Sequence, residues 1–130
     1  PIEQQGGRVV KAEADNILAV FPDVDSAVAA SIAIHRTLRS RPEIAVSIGI
    51  GYGDILAIGE AEIFGEQVNL ASKLGEDLAE AEELLITEVA YEQIEANREG
   101  WVQVEAPISG LDLVFYRWRG HEERQTSGDR

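Results

Sequence analysis

The sequence predicts an α+β sandwich, with helices over one face of a mostly antiparallel sheet. Three observations carry this prediction. A tight pair of apolar strands, "RVVKA" and "ILAVF", opens the chain. Apolar residues then recur at helical spacing between Pro22 and Arg39. After them, β-branched and glycine-punctuated runs alternate with further helical stretches, before two late strands "WVQVEA" and "LVFYRW".

In chain order, Gly6-Gly7 is a turn signal, and Ala14-Asp15-Asn16 joins the two strands of the opening hairpin. Pro22-Asp23 stops the second strand, and Asp23 is a candidate N-cap for a helix running to about Arg39. Ala27, Ile34 and Leu38, with Val24, Val28 and Ile32 beside them, form its apolar side. "EIAVSIGIGYG", residues 43–53, reads as a buried strand, followed by a turn and the short strand "ILAIG". A helix is expected from about Phe64 to Leu74, and the acidic stretch "GEDLAEAEE" as a solvated, partly helical connector. "LLITEVAYEQI" reads as a strand running into a helix. The order matches ferredoxin-like layouts, except that their first strand and helix precede the hairpin and only "PIEQQ" stands there. The expectation is a domain over residues 1–119 that lacks its first strand and helices, with a polar tail over 120–130. A sheet without that central strand leaves neighbouring edges unpaired.

Composition narrows the function classes. With 130 residues and 45% hydrophobic content the chain is long enough for one globular domain. No apolar run approaches the roughly 18 residues of a membrane span, so no direct membrane contact is expected of this domain. Cysteine is absent, which fits a cytoplasmic location. The chain also lacks methionine and opens on Pro1, from which a longer parent chain is expected. A net charge of −13 argues against nucleic-acid binding, which needs a cationic face. A nucleotide remains compatible if a metal ion or a few placed cations offset its charge. Of eleven basic residues only Lys11 and Lys73 are lysines.

Two segments carry possible chemistry. In "VVKAEADNILAVF", Lys11, Glu13 and Asp15 alternate along one strand face. The residues alone leave open a solvated hairpin face, or a metal-ligating Asp15 with Lys11 contacting another part of the ligand. In "EIFGEQVNLASKL", residues 62–74, Asn69 and Lys73 stand four apart and share a helix face. They form an ordinary polar face, or a pair suited to a sugar hydroxyl and a phosphate. His35, near Arg36 and Arg39, reads as a surface or boundary histidine, and His121 lies in the tail, so no zinc site is expected. "GIGYGD" lacks the helix and lysine of a phosphate loop.

Taken together, these segments resemble the class III adenylyl/guanylyl cyclase catalytic domain from about Gly6 to Trp118. "GGRVVKAEADNILAVF" resembles that family's glycine pair, base-recognising lysine and metal-binding aspartate. "VSIGIGYG" resembles its next core strand. "EIFGEQVNLASKL" resembles its most specific motif, Asp-x-Phe/Trp-Gly-Asp-x-Val-Asn leading to an arginine. "LLITEVAY" and "GLDLVFYRW" fit as well.

The resemblance implies a ferredoxin-like α/β sandwich of the class III nucleotidyl cyclase type. It implies conversion of ATP, in preference to GTP, to 3′,5′-cyclic AMP and pyrophosphate, in sites built across a homodimer. Asp15 would be one of two aspartates holding Mg²⁺ or Mn²⁺, Lys11 and Glu62 would read the purine, Asn69 would orient the ribose, and Lys73 would stabilise charge on the phosphate. Four departures accompany it. Glu62 and Lys73 replace an aspartate and an arginine, Ala14 replaces a glycine, and Ser109 stands where many relatives carry a cation. The family's first metal aspartate belongs to the strand absent here, leaving Asp15 alone. The alternative is therefore a catalytically weak or inactive cyclase-like module that binds nucleotide or dimerises in signalling.

Overall fold

The computed structural model describes residues 2–13, 16–41, 43–58, 62–79, 83–96, 98–108 and 111–119. Strands β1 (Arg8–Glu13) and β2 (Asn16–Val20) form the predicted antiparallel hairpin. Its register shifts between Val9 and Lys11, because Val9 faces Ala19 while Lys11 faces Leu18. The extra residue, Val10, turns inward and is buried, as a β-bulge allows.

Helix α1 (Val24–Leu38) starts where the sequence predicts, with the Asp23 carboxylate accepting the Ser26 N–H at 2.7 Å. That bond satisfies one of the amides left open at a helix start. It also holds Asp23 below its ordinary pKa of 3.8 through the backbone N–H and the hydroxyl of Ser26, against a smaller desolvation effect. Val24, Ala27 and Val28 are the most deeply buried part of the expected apolar side.

Strands β3 (Ile48–Ile50), β6 (Leu84–Thr87), β8 (Leu111–Trp118) and β7 (Trp101–Ile108) form a sheet in that spatial order. The β3–β6 pair is parallel and the others antiparallel. All four β6 residues are buried. Leu84 and Ile86 face α1 and α3 (Glu88–Glu92), packing with Val24, Val28, Ile50, Ala90 and Ile94. Leu85 points to the opposite face, onto Leu74 and Phe115. The sandwich expected from the sequence is thus present, and at β6 helical segments cover the second face too. Those segments are α2 (Glu66–Lys73) and the π-helical turn Leu74–Leu78 that extends it.

Two boundaries differ from expectation. Of the predicted strand over 43–53 only Ile48–Ile50 is paired as a strand, with β6 as its single partner among the described residues. Phe64, expected to start a helix, instead lies in β5 (Glu62–Phe64), paired with Leu56 of β4 (Leu56–Ile58). The cross-strand partner outweighs the local helical spacing.

The β1–β2 hairpin and the four-stranded sheet do not pair with each other among the described residues. Between β2 and β3 lies an open cleft of about 1520 Å³, walled by apolar side chains including Ile17, Val20, Val24, Ala27, Ile48 and Ile50. No helix of the described residues is long and apolar enough to cross a membrane.

Candidate functional site

Three neighbouring elements carry most of the predicted site residues. β1 lies beside β5, and β5 beside α2. Lys11 sits just past the bulge in β1, half-buried, and lines the cleft. Glu62 opens β5, its backbone paired with Ile58. Asn69 and Lys73 are both exposed on α2. Asp15, between the ends of β1 and β2, lies outside the described residues, as do Ala14 and Ser109.

The α2 helix explains how Asn69 and Lys73 come to share one direction. It begins at Gly65, which supplies no side-chain cap. A Cβ on Gly65 would meet the Asp54 carbonyl oxygen at 2.8 Å, so the chain turns there only with glycine. Glu66 in the first turn and Lys73 in the last complement the helix dipole. At 3.6 residues per turn, Asn69 and Lys73 lie roughly 40° apart around the axis. The opposite side, with Gln67, Ala71 and Gly75, faces the cleft and β3.

Gln67 is a residue that motif reading passed over. Its Oε1 accepts the Thr87 hydroxyl at 2.7 Å and the Tyr52 N–H at 3.1 Å. The Thr87 oxygen in turn accepts the Ala90 N–H at 3.1 Å, capping α3. The signal available in the sequence was a polar residue at i−4 from Ala71 and i−7 from Leu74, on a helix face that otherwise reads apolar.

His35 lies at a boundary of the fold, as its sequence position suggests, and His121 is outside the described residues. His35 Nε2 lies 2.8 Å from the Val46 carbonyl, to which it donates, tying α1 to the segment entering β3. Among the described residues no group of three His, Cys, Asp or Glu side chains is placed to hold a metal ion. The described donor set therefore does not make a metal centre by itself.

No protein-family model and no curated protein matches the sequence. Solved structures do match its fold. An adenylate/guanylate cyclase/hydrolase from Silicibacter pomeroyi superposes with a TM-score of 0.74 at 24% identity, over 92% of this chain and 76% of that one. The catalytic core of a rhodopsin-guanylyl cyclase with converted specificity, in complex with ATPαS, gives 0.72 at 20% identity, over 89% and 73%. The adenylyl cyclase CyaB from P. aeruginosa gives 0.69 at 21% identity, over 92% and 74%. The described residues thus carry the fold of the class III adenylyl and guanylyl cyclase catalytic domain.

Proposed function

We propose that this chain is a nucleotidyl cyclase domain that converts ATP, in preference to GTP, to 3′,5′-cyclic AMP and pyrophosphate. The observation that carries the reading is α2, on which Asn69 and Lys73 face outward together, beside β5 with Glu62 and, next to it, β1 with Lys11. In this reading Lys11 and Glu62 contact the purine edge. Asn69 bonds the ribose and holds its 3′-hydroxyl toward the α-phosphorus. Lys73 offsets charge on the phosphate as the 3′-hydroxyl gives its proton to water, the 3′-oxygen–phosphorus bond forms and the bond to pyrophosphate breaks. Most of the rate enhancement then comes from positioning and charge neutralisation. Asp15 is this chain's carboxylate toward Mg²⁺ or Mn²⁺, which when bound supplies Lewis-acid stabilisation of the phosphate oxygens.

The reading includes a homodimer and a cytoplasmic location, where ATP is available. Supporting the dimer, Leu56 and Phe64 oppose each other on the β4–β5 ribbon and remain 62% and 48% exposed. A two-stranded ribbon with such a face gains stability from a covering partner.

A second reading, a weak or inactive nucleotide-binding module, is favoured by Lys73 itself. A lysine lacks the paired donors with which arginine holds a phosphate. The test is an assay of the purified protein with Mn²⁺ and ATP or GTP, read for cyclic AMP and cyclic GMP. Cyclic AMP as the main product supports the first reading. Nucleotide binding without product supports the second, and neither binding nor product overturns both.

A further inference from the structure

We propose that Gln67 is a positioning residue, whose side-chain carbonyl pins the first turn of α2 and so sets the direction in which Asn69 and Lys73 face. The functional half of this inference rests on the reading of Asn69 and Lys73 given above.

Gln67 joins three separate elements through one oxygen. Oε1 receives the Tyr52 N–H from the loop after β3 and the Thr87 hydroxyl from the β6–α3 junction. Thr87 is only 5% exposed, so its hydroxyl depends on partners inside the protein. It has them on both sides, donating to Gln67 and accepting from Ala90. The loop is moulded to Gln67 as well. A Cβ on Gly51 would meet the Gln67 backbone oxygen at 2.6 Å and its Oε1 at 3.1 Å, and one on Gly53 would meet the Gln67 Cγ at 2.9 Å. Glycine at both positions lets the loop backbone close over Gln67, main chain and side chain together.

Gly65, at the helix start, provides no side-chain cap. The later turn of the helix is held by close packing, with the Ala71 carbonyl against Gly49 and Gly75 against the same residue. One pin at Gln67 and one contact at Gly49 fix both tilt and rotation. Around the axis Gln67 lies roughly 160° from Asn69 and 120° from Lys73. A roll of α2 that follows loss of the inner bond therefore sweeps the outer pair sideways. Misplacement by about 1 Å is enough to cost two orders of magnitude in a reaction that depends on alignment.

The role needs an acceptor and nothing else at that position, which makes it separable from volume. Gln67→Met keeps the length and removes the acceptor, whereas Gln67→Glu keeps an oxygen able to take both bonds. Amide exchange at Tyr52 and along α2, followed by NMR, is expected to quicken about tenfold in Gln67→Met and to stay near wild type in Gln67→Glu. In the cyclase assay kcat is expected to fall about tenfold or more in Gln67→Met, with KM changed less than about threefold, and to recover in Gln67→Glu. If Gln67→Met does not fold, Gln67→Asn, one methylene shorter, withdraws the oxygen while remaining polar, and the same result is expected. Unchanged exchange and kcat in the acceptor-free variant, with an active wild type, overturns the pin. Quickened exchange with a wild type inert toward ATP and GTP supports the pin but overturns its part in cyclisation, together with the cyclase reading.

Discussion

Gly49 of β3 lies so close to the Ala71 carbonyl of α2 that a Cβ added to it would overlap that oxygen. The obstacle is backbone, so no rotamer change relieves it. Gly49→Ala must push α2 off the sheet, and a loss of about 2 kcal/mol or more is expected. Gly75→Ala is the internal comparison, because its Cβ would meet the Gly49 nitrogen at 3.0 Å, a milder approach. Urea unfolding of the two variants beside wild type checks the order; equal midpoints would contradict the packing described.

Asp23 links stability to acid pH. Its carboxylate caps α1 through Ser26, and that bond lowers its pKa from 3.8. A lowered carboxylate stabilises the fold fully above its unfolded value, and the contribution disappears as pH falls through the folded value. Asp23→Ala is therefore expected to lower the urea midpoint at neutral pH. The gap to wild type should close as pH drops below about 3.8. A gap that persists in acid would mean the cap is not acting through its charge.

Much of the fold was legible because its signals are local. The Asp23 cap, the α1 stripe, the "LLIT" run entering a helix and the two late strands each depend on neighbours in sequence, and each lies where expected. What could not be read depends on distant partners. Residues 43–47 look like a strand, yet pairing begins only at Ile48, where β6 offers its edge. Phe64 suits a helix start by spacing but is claimed by Leu56 across the ribbon. Within the candidate site, Asn69 and Lys73 were visible as an i, i+4 pair, whereas Gln67 shows its role only once Thr87 arrives from 20 residues away.

Tyr116 links stability to alkaline pH. Its ring stacks on Tyr91 with centroids 3.8 Å apart and planes 9° from parallel. Burial raises its pKa above 10.0, with further upward contributions from Tyr91, Glu88 and Glu92 and an opposing one from Arg98. Between the unfolded and folded values the unfolded state binds fewer protons, so stability falls as pH rises through that window. Tyr116→Phe keeps the stack and removes the ionisation. Its stability is expected to be within about 1 kcal/mol of wild type at neutral pH. Above about pH 10 wild type should lose stability relative to the variant, as urea midpoints across that range will record.

Asp15 is the residue on which the metal part of the proposed function depends. Asp15→Ala is expected to reduce Mn²⁺-dependent cyclic nucleotide formation by about a hundredfold or more. Urea unfolding of the variant beside wild type separates a lost ligand from a lost fold. Activity retained at the wild-type level, across a Mn²⁺ titration, removes Asp15 from the site.

Lys73 closes α2 as an exposed cation at its C-terminal end, so two roles meet in one side chain. As a partner of the helix dipole it needs only positive charge, and Lys73→Arg supplies that equally. Unfolding of this variant should therefore match wild type within about 0.5 kcal/mol. As a phosphate contact it needs geometry, and a guanidinium offers two parallel donors where an ammonium offers a point charge. On the proposed function Lys73→Arg is expected to raise kcat several-fold, and Lys73→Gln to lower it by about tenfold or more. Steady-state kinetics with ATP on the three proteins separates the roles. If arginine and glutamine leave kcat untouched while only glutamine lowers stability, Lys73 serves the helix and not the phosphate.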